Sequence, residues 1–333
     1  MEGDTSEIRL DNLSIGYRSK KGTKAVASGI TATIRSGELT CLIGPNGAGK
    51  STLLRTLAGF LPKAAGTASL RGRDIGSYKP RELARLVGIV LTEKPDTGCM
   101  TVAELVALGR SPYTGFWGSC SDADRRAAAR AMADVGIGHL AGRRVATLSD
   151  GERQKAMVAK ALAQQTPVIL LDEPTAFLDF PSKVETMRLL RGIARHTGKV
   201  VFMSTHDLDL ALQAADTLWL MARGGAIATG SPEDLALDGR LAAFFGSGSM
   251  RFDADTGLFD ICPEATAAAD VGGLGGTRRA MLCKALRRNG IAPGGPGPAL
   301  GSVEVAPECF IVRRGLAETR TATVAGAVEA LAT

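Results

Sequence analysis

A run of nine residues at positions 44–52 combines the residue types that phosphate binding requires. Its glycines let backbone N–H groups curl around phosphate oxygens, and the N-terminus of a following helix favours anions. In this pattern Lys50 reaches the β- and γ-phosphates, and the Ser51 hydroxyl is a ligand for Mg²⁺. The run matches the P-loop pattern, so we predict that the chain binds a nucleoside triphosphate with Mg²⁺. The predicted nucleotide-binding residues of this run are Gly44, Pro45, Asn46, Gly47, Ala48, Gly49, Lys50, Ser51 and Thr52.

Two consecutive acids follow a second apolar run, at residues 168–171. Hydrolysis of a phosphoanhydride needs a metal that bridges phosphate oxygens and a group that activates water. We predict that Asp172 holds Mg²⁺ through its water shell and that Glu173 is the water-activating base. A further apolar run, at residues 199–205, ends just before His206.

A third candidate precedes a predicted helix at residues 155–162. Ser149 and Glu152 have the spacing of a capping box, with Gly151 between them. A helix N-terminus beside a glycine suits a phosphate group. An ordinary capped helix accounts for the same residues, and the residues alone leave both interpretations open.

The elements that position these residues indicate an α/β fold. Strands that alternate with helices predict a mostly parallel sheet whose ligand site lies at the carboxyl ends of its strands. Short alternating runs within residues 7–36 predict an antiparallel β layer that leads into the P-loop strand. Between the P-loop and Ser149 lies a helical insertion at about residues 92–150, in which Thr101 and Ser121 have the spacing of helix caps.

The order of the motifs resembles that of ATP-binding cassette (ABC) ATPases. The motifs are the P-loop, the helical insertion, Leu-Ser-Asp-Gly-Glu-Arg-Gln at 148–154, Asp-Glu-Pro at 172–174, Leu-Asp at 178–179 and the strand-terminal His206. The resemblance covers about residues 7–240. It implies a P-loop NTPase core with an antiparallel β layer and an α-helical subdomain.

The resemblance also implies that two cassettes associate head to tail. Each ATP then lies between the P-loop of one copy and the segment containing Ser149, Gly151 and Glu152 of the other, so a second copy or a paralogous partner is required. Tyr17 would stack on adenine, although packing of a strand-end aromatic on its neighbours is the alternative. Asp179 would belong to the loop at the dimer interface.

His206, by the same resemblance, would contact the γ-phosphate. We therefore predict Glu173 and His206 as the catalytic residues.

Two positions depart from the cassette pattern. Where cassettes usually carry a glutamine that touches Mg²⁺ or the attacking water, this chain has Thr92 followed by Glu93. We predict Thr92 as a shorter metal ligand beside Ser51 and Asp172. Asp150 replaces a glycine, and we expect its side chain to point away from the nucleotide because a γ-phosphate would repel it.

Within the superfamily, residues 101–113 resemble the helical subdomain of cassettes that drive import of iron chelates, haem and cobalamin. The resemblance implies membrane permease subunits as partners and, indirectly, a substrate-binding protein. The loop at residues 111–117 is rich in aromatic residues, which either pack the subdomain or form a docking patch. An exporter ATPase shares all the catalytic residues and remains an alternative. A soluble cassette acting on nucleic acid or ribosomes is another, but the sequence has none of the coiled coils, zinc pairs or tandem cassettes of that class.

The sequence pattern changes after residue 248. A hairpin at 251–261, a helix at 277–288 and strands within 303–312 predict a small α/β accessory domain. We therefore predict an ABC ATPase domain over 1–248 and an accessory domain of unassigned role over 249–333. Its glycine run at 271–276 is a weak signal, because no P-loop lysine follows.

Composition limits the environment of the chain only loosely. The net charge of +6 is modest for 333 residues, and the six cysteines are scattered, as expected for reduced thiols. We find no basic, apolar leader and no run near the ~18 apolar residues that span a membrane. The expected location is therefore the cytoplasmic face of the inner membrane, in contact with permeases.

Overall fold

The computed structural model of the chain describes residues 7–19, 22–92, 98–114, 119–246, 250–253, 258–261, 265–295 and 297–332. Contacts divide the chain into two units, Met1–Leu237 and Asp238–Thr333. The division lies earlier than the boundary predicted near residue 248. The helix Arg240–Phe245 accordingly falls in the second unit, where it contacts the strand Met250–Asp253.

The first unit alternates strands with helices. Its strands are β1 (Ile8–Ser19), β2 (Gly22–Ile34), β3 (Leu39–Ile43), β4 (Ala65–Leu70), β5 (Arg73–Asp74), β6 (Val87–Val90), β7 (Val168–Asp172), β8 (Val200–Ser204), β9 (Thr217–Met221) and β10 (Ile227–Gly230). Its helices are α1 (Lys50–Leu57), α2 (Pro80–Leu83), α3 (Val102–Ala107), α4 (Asp122–Asp134), α5 (Asp150–Ala163), α6 (Phe180–Thr197), α7 (Leu208–Ala214) and α8 (Pro232–Leu237).

A six-stranded sheet with the order β10-β9-β3-β8-β7-β6 forms the centre of this unit. All neighbouring pairs are parallel except β10 with β9. Every residue of β3, β7 and β8 is buried, which explains why these strands are apolar almost throughout rather than alternating. Their carboxyl ends therefore lie side by side at one edge, where Ile43, Asp172 and Ser204 end the strands.

The predicted antiparallel layer is present as a four-stranded sheet with the order β2-β1-β4-β5. Two runs that the sequence pattern separates, at 8–10 and 13–15, belong to the single strand β1. The strand continues through a register shift between Leu10 and Leu13, where Asn12 takes a positive φ of 47°. Asparagine tolerates this left-handed conformation better than most residues.

The helical insertion contains α3, α4 and the start of α5. Each begins after its predicted cap residue, Thr101, Ser121 or Ser149, and in all three the cap hydroxyl accepts the backbone N–H three residues later in a capping box. Buried between α3, α4 and α5, the Arg110 guanidinium donates to Asp124 Oδ1 at 2.9 Å. None of the helices within the described ranges combines the length and hydropathy of a membrane-spanning helix.

The second unit has its own sheet and its own core. After α9 (Arg240–Phe245) come the hairpin β11 (Met250–Asp253) and β12 (Leu258–Ile261), then β13 (Ala267–Gly273), α10 (Thr277–Arg288), β14 (Ile291–Pro293), β15 (Ala299–Val305), β16 (Phe310–Arg314), β17 (Ala317–Thr321) and α11 (Val324–Ala332). The five-stranded sheet has the order β14-β13-β15-β16-β17. Leu282, Leu286, Val303, Phe310 and Leu331 are among its buried core residues.

Candidate functional site

The P-loop joins β3 to α1 in a conformation that requires its glycines. Gly49 has a φ of 110°, and a Cβ on Gly44 would lie 2.3 Å from the Met221 carbonyl oxygen. Other residues at these two positions would strain or displace the backbone. The exposed part of the loop, Pro45 to Gly47, lies between these two buried glycines.

Lys50 opens α1 and turns its side chain back over the loop. Its ammonium group donates to the Gly44 carbonyl oxygen at 2.7 Å and to that of Pro45 at 3.3 Å. Burial lowers the pKa of Lys50, while the charges of Glu173 and Asp172 act in the opposite direction. The ammonium group is therefore held beside the loop and close to both predicted acids.

Asp172 is the polar centre of the site. Its Oδ1 accepts a hydrogen bond from Ser51 Oγ at 3.0 Å and another from Ser204 Oγ at 2.7 Å. The side chain is almost fully buried, so the two hydroxyls replace the water that a carboxylate needs. The structure brings the predicted metal residues Ser51 and Asp172 into direct contact.

Glu173 leaves the strand in a left-handed conformation, with a φ of 50°. Its N–H donates to Ser204 Oγ at 3.0 Å, and its carboxylate Oε1 lies 2.7 Å from His206 Nε2. Because a carboxylate only accepts hydrogen bonds, the ring nitrogen is the donor in this pair. The two predicted catalytic residues are thus in contact.

The oxygen donors at this edge fit a hard cation such as Mg²⁺. The Ser51 hydroxyl and the Asp172 carboxylate offer adjacent oxygens, and Mg²⁺ typically binds one or two carboxylates while retaining several waters. Thr92 is the third predicted metal ligand. Its hydroxyl donates to the Asp172 carbonyl oxygen at 2.8 Å, so its proton is directed at the backbone. Glu93 lies outside the described residues.

The remaining predicted nucleotide contacts lie around this centre. Tyr17 is 46% exposed, and its hydroxyl lies 3.1 Å from Thr52 Oγ1, so one edge of the ring is fixed beside α1 while much of it faces solvent. Asp179 caps α6 by accepting the Ser182 N–H at 3.2 Å. The Ser182 hydroxyl, and then this N–H, lower the pKa of Asp179.

The segment that opens α5 does not join the P-loop of its own chain. Ser149 and Glu152 bond to each other, and neither bonds to a P-loop residue within the described part of the chain. A Cβ on Gly151 would lie 3.2 Å from Ser182 Oγ, so this glycine permits close packing of α5 on α6. Asp150 forms a 3.7 Å ion pair with Arg153 on its own helix.

Several polar residues of the site were not singled out from the sequence. Ser204 is the foremost, and its position two residues before His206 was the only signal for it. Beyond it, Asp207 accepts from the Thr175 hydroxyl and from the Lys183 ammonium group, both at 2.7 Å. These bonds tie the segment after β8 to the loop after Glu173 and to α6.

A groove of about 760 Å³ lies between the core and the helical subdomain. Apolar side chains of the core, among them Tyr78 and Leu83, form one wall, and Met157, Lys160 and Gln164 of α5 form the other. Burial lowers the pKa of Lys160. Gln164 bridges the walls by donating to carbonyl oxygens of the α2–β6 region, including that of Val87 at 3.1 Å.

Arginines in α2 and just after it hold the aromatic-rich segment. Arg81 donates to the carbonyl oxygens of Pro112 and Thr114, and Arg85 donates to that of Pro112. The Tyr113 ring lies 4.0 Å from the Arg110 guanidinium carbon. Tyr113 therefore packs within the subdomain, while Phe116 and Trp117 lie outside the described residues.

Comparisons with known proteins agree with this arrangement. Residues 27–176 match the family model described as ABC transporter. The ferric enterobactin transport ATP-binding protein of Escherichia coli is 37% identical over 253 residues, which cover 76% of this chain and 92% of that protein. The hemin import ATP-binding protein of Streptomyces coelicolor is 38% identical over 230 residues, 69% of this chain and 81% of the relative. A solved inward-facing metal-chelate type ABC transporter superposes with a TM-score of 0.62 at 25% identity, covering 72% of this chain and 88% of that one.

Proposed function

This chain belongs to the family of ABC transporter ATP-binding proteins, and from that premise we propose that it is the ATP-hydrolysing subunit of an importer. The observation that carries the proposal is the convergence of Lys50, Ser51, Asp172, Glu173 and His206 at one edge of the parallel sheet. They supply a cation for phosphate oxygens, ligands for a metal and a base for water. These are the requirements of phosphoanhydride hydrolysis.

Each residue has a distinct part in the proposed reaction. Lys50 and the P-loop N–H groups bind the β- and γ-phosphates, and Ser51 and Asp172 hold Mg²⁺, which neutralises developing charge when bound. The Glu173 carboxylate accepts a proton from the attacking water. His206, which donates to that carboxylate, fixes its direction and contacts the γ-phosphate.

The proposal includes a second copy of the cassette. Ser149, Gly151 and Glu152 lie at the capped N-terminus of a 14-residue helix, and a helix N-terminus favours phosphate oxygens. These residues make no bond to their own P-loop, which supports a role at the P-loop of a partner. Asp179 would lie at the same interface.

Permease subunits are the other proposed partners. The groove beside α2 and α5 is large and mostly apolar, and Lys160 in its wall suits a segment that carries a carboxylate. A chain that contacts permeases works at the inner face of the membrane, with a substrate-binding protein delivering the cargo on the other side. No role with nucleic acid is proposed.

The proposed cargo is an iron complex, haem or a cobalamin-like chelate. The resemblance of residues 101–113 supports this class, as do the ferric enterobactin and hemin cassettes that the chain resembles over most of their length. An exporter with the same catalytic residues is the alternative, and the direction of transport distinguishes the two.

A single substitution tests hydrolysis. Glu173→Gln keeps the shape of the side chain but removes the base, so ATP should still bind while turnover falls by roughly 100-fold or more. The ATP-bound dimer should then accumulate and elute early in gel filtration. Turnover at the wild-type rate would remove Glu173 from its role.

Cargo is tested by uptake of ferric chelates, haem and cobalamin in cells that produce the chain with its permease, with Glu173→Gln as the control.

A further inference from the structure

The peptide group between Asp172 and Glu173 is held on both sides by side-chain hydroxyls. The Thr92 hydroxyl donates to the Asp172 carbonyl oxygen at 2.8 Å, and the Glu173 N–H donates to Ser204 Oγ at 3.0 Å. The hydroxyls come from the two strands that flank β7, since Ser204 ends β8 and Thr92 follows β6. At the end of β7, hydrogen bonds to side-chain hydroxyls therefore replace the backbone hydrogen bonds of the sheet.

This peptide group precedes a strained residue. Glu173 has a φ of 50°, a left-handed conformation that persists in a residue other than glycine only when its surroundings hold it there. The Ser204 bond fixes the N–H of Glu173, and His206 fixes its carboxylate at 2.7 Å. Glu173 is thus anchored at both ends, and the direction of its side chain depends on the peptide plane.

Ser204 also joins this plane to the metal side of the site. Its hydroxyl donates to Asp172 Oδ1 at 2.7 Å, the same oxygen that accepts from Ser51 Oγ. Ser204 is fully buried, so no solvent competes for these bonds. One hydroxyl therefore contacts both the metal-binding carboxylate and the backbone of the water-activating residue.

We propose that Thr92 and Ser204 are positioning residues that clamp the Asp172–Glu173 peptide and so direct the Glu173 carboxylate. The inference rests on the hydrolysis proposed above. Neither residue touches a reacting atom in this role: both bond to the peptide that carries Glu173, and Ser204 also bonds to the Asp172 carboxylate. The clamp also gives Thr92 a function different from that of the glutamine which cassettes carry at this position.

The test compares variants that remove each hydroxyl and keep its shape as far as possible. Thr92→Val and Ser204→Ala should each lower kcat about 10- to 100-fold, because small misplacements of a catalytic group have effects of this size. KM for ATP and ATP binding without divalent metal should change less than about twofold, since neither hydroxyl binds nucleotide. Thr92→Ser keeps the hydroxyl and should retain kcat within about threefold. If Ser204→Ala does not fold, Ser204→Cys takes its place in the comparison.

Two further readouts separate positioning from a merely structural role. The Thr92→Val, Ser204→Ala double variant should accumulate the ATP-bound dimer, as Glu173→Gln does. In the Glu173→Gln background, the same two changes should lower the residual rate less than about twofold, because residues that act through one group are not additive. A fully additive loss would mean that the hydroxyls act independently of Glu173, and it would overturn the clamp.

The outcomes distinguish the clamp from the function on which it rests. If Glu173→Gln is inactive but Thr92→Val and Ser204→Ala have the wild-type kcat, the clamp is overturned and the proposed ATP hydrolysis stands. Wild-type turnover in Glu173→Gln overturns the role of Glu173 and the clamp with it. A rise in the Mg²⁺ concentration for half-maximal rate in Thr92→Val, with kcat restored at saturating Mg²⁺, makes Thr92 a metal ligand and also overturns the clamp.

Discussion

The two units each contain a strand, a glycine-rich loop and a helix in succession, yet only one of these loops has the surroundings of a phosphate site. In the first unit β3 leads through residues 44–49 into α1. In the second, β13 leads through residues 272–276 into α10, which Gly276 precedes at a φ of 86°. The backbone pattern is similar, and the side chains that follow it are not.

The difference lies in where the first basic residues of each helix point. Lys50 turns back over its loop, close to Asp172 and Glu173. In α10, Arg278 instead donates to the Pro307 carbonyl oxygen and lies 4.7 Å from the Phe310 ring, and Arg279 donates to the Val271 carbonyl oxygen. Arg278 and Arg279 therefore serve the packing of their own sheet. A glycine loop therefore indicates a nucleotide site only together with the polar groups that face it.

The largest expected effect separates the two loops directly. Lys50→Ala should weaken ATP binding by about 10³-fold, roughly 4 kcal/mol, because it removes a buried cation that faces the phosphates. Arg279→Ala, in the first turn of α10, should leave ATP binding unchanged. Equilibrium titration with ATP measures both. A comparable loss in Arg279→Ala would show that the second loop also contributes to nucleotide binding.

The next effect concerns stability and belongs to the second unit alone. Phe310 is 1% exposed in the core of its sheet, so Phe310→Ala should lower the free energy of unfolding of this unit by about 3–5 kcal/mol. ATP affinity should not change. Chemical denaturation checks this, because added nucleotide should shift only the transition of the first unit. Leu316→Ala, at a fully exposed position, is the matched control. A single transition that moves with both nucleotide and Phe310→Ala would contradict the independence of the two cores.

Local chemistry explains which elements could be predicted from the sequence. The caps at Thr101, Ser121 and Ser149 are confirmed because a hydroxyl and an acid three residues apart satisfy each other within one turn. The helix Thr277–Arg288 is confirmed with its predicted bounds, and the α/β class with its antiparallel layer is confirmed as well. For the caps and this helix, the determining residues are neighbours in the chain.

The rest depends on strand order, which the sequence pattern does not contain. Thr92 and Ser204 meet the Asp172–Glu173 peptide only because β6 and β8 lie on either side of β7. The groove likewise requires α2 and α5 to face each other across residues that are far apart in the chain. The motif residues were predicted from their types. Thr92 was predicted only as a metal ligand and Ser204 was not predicted at all, because serine and threonine are common and only their placement shows which groups they contact.

A moderate effect is expected at Tyr17, where substitutions test how much of the ATP affinity comes from contacts with the base rather than with the phosphates. Tyr17→Ala should weaken ATP binding by about 1–2 kcal/mol if the exposed ring stacks on adenine. Tyr17→Phe keeps the ring and loses only the contact with Thr52, so it should cost less than about 1 kcal/mol. Titration with ATP and with inorganic triphosphate separates the contributions, since triphosphate lacks the base. Equal losses for ATP and triphosphate in Tyr17→Ala would assign the ring to packing.

The smallest effect concerns acid sensitivity, which also differs between the units. The Ser121 hydroxyl, and then the Arg110 guanidinium, lower the pKa of Asp124 to about 2 from an ordinary 3.8. The folded chain thus binds this proton less readily than the unfolded chain, so the stabilisation is complete above about pH 4 and is lost as the pH falls towards 2. Arg278 of the second unit bonds to a carbonyl oxygen, and the pairs of Arg313 with Glu304 and Glu318 are exposed and screened by water. Asp124→Asn should therefore flatten the fall of the first unit's Tm between pH 4 and 2, whereas Asp122→Asn, an exposed neighbour, should not. An unchanged slope in Asp124→Asn would mean that the buried pair with Arg110 does not govern the acid sensitivity of the helical subdomain.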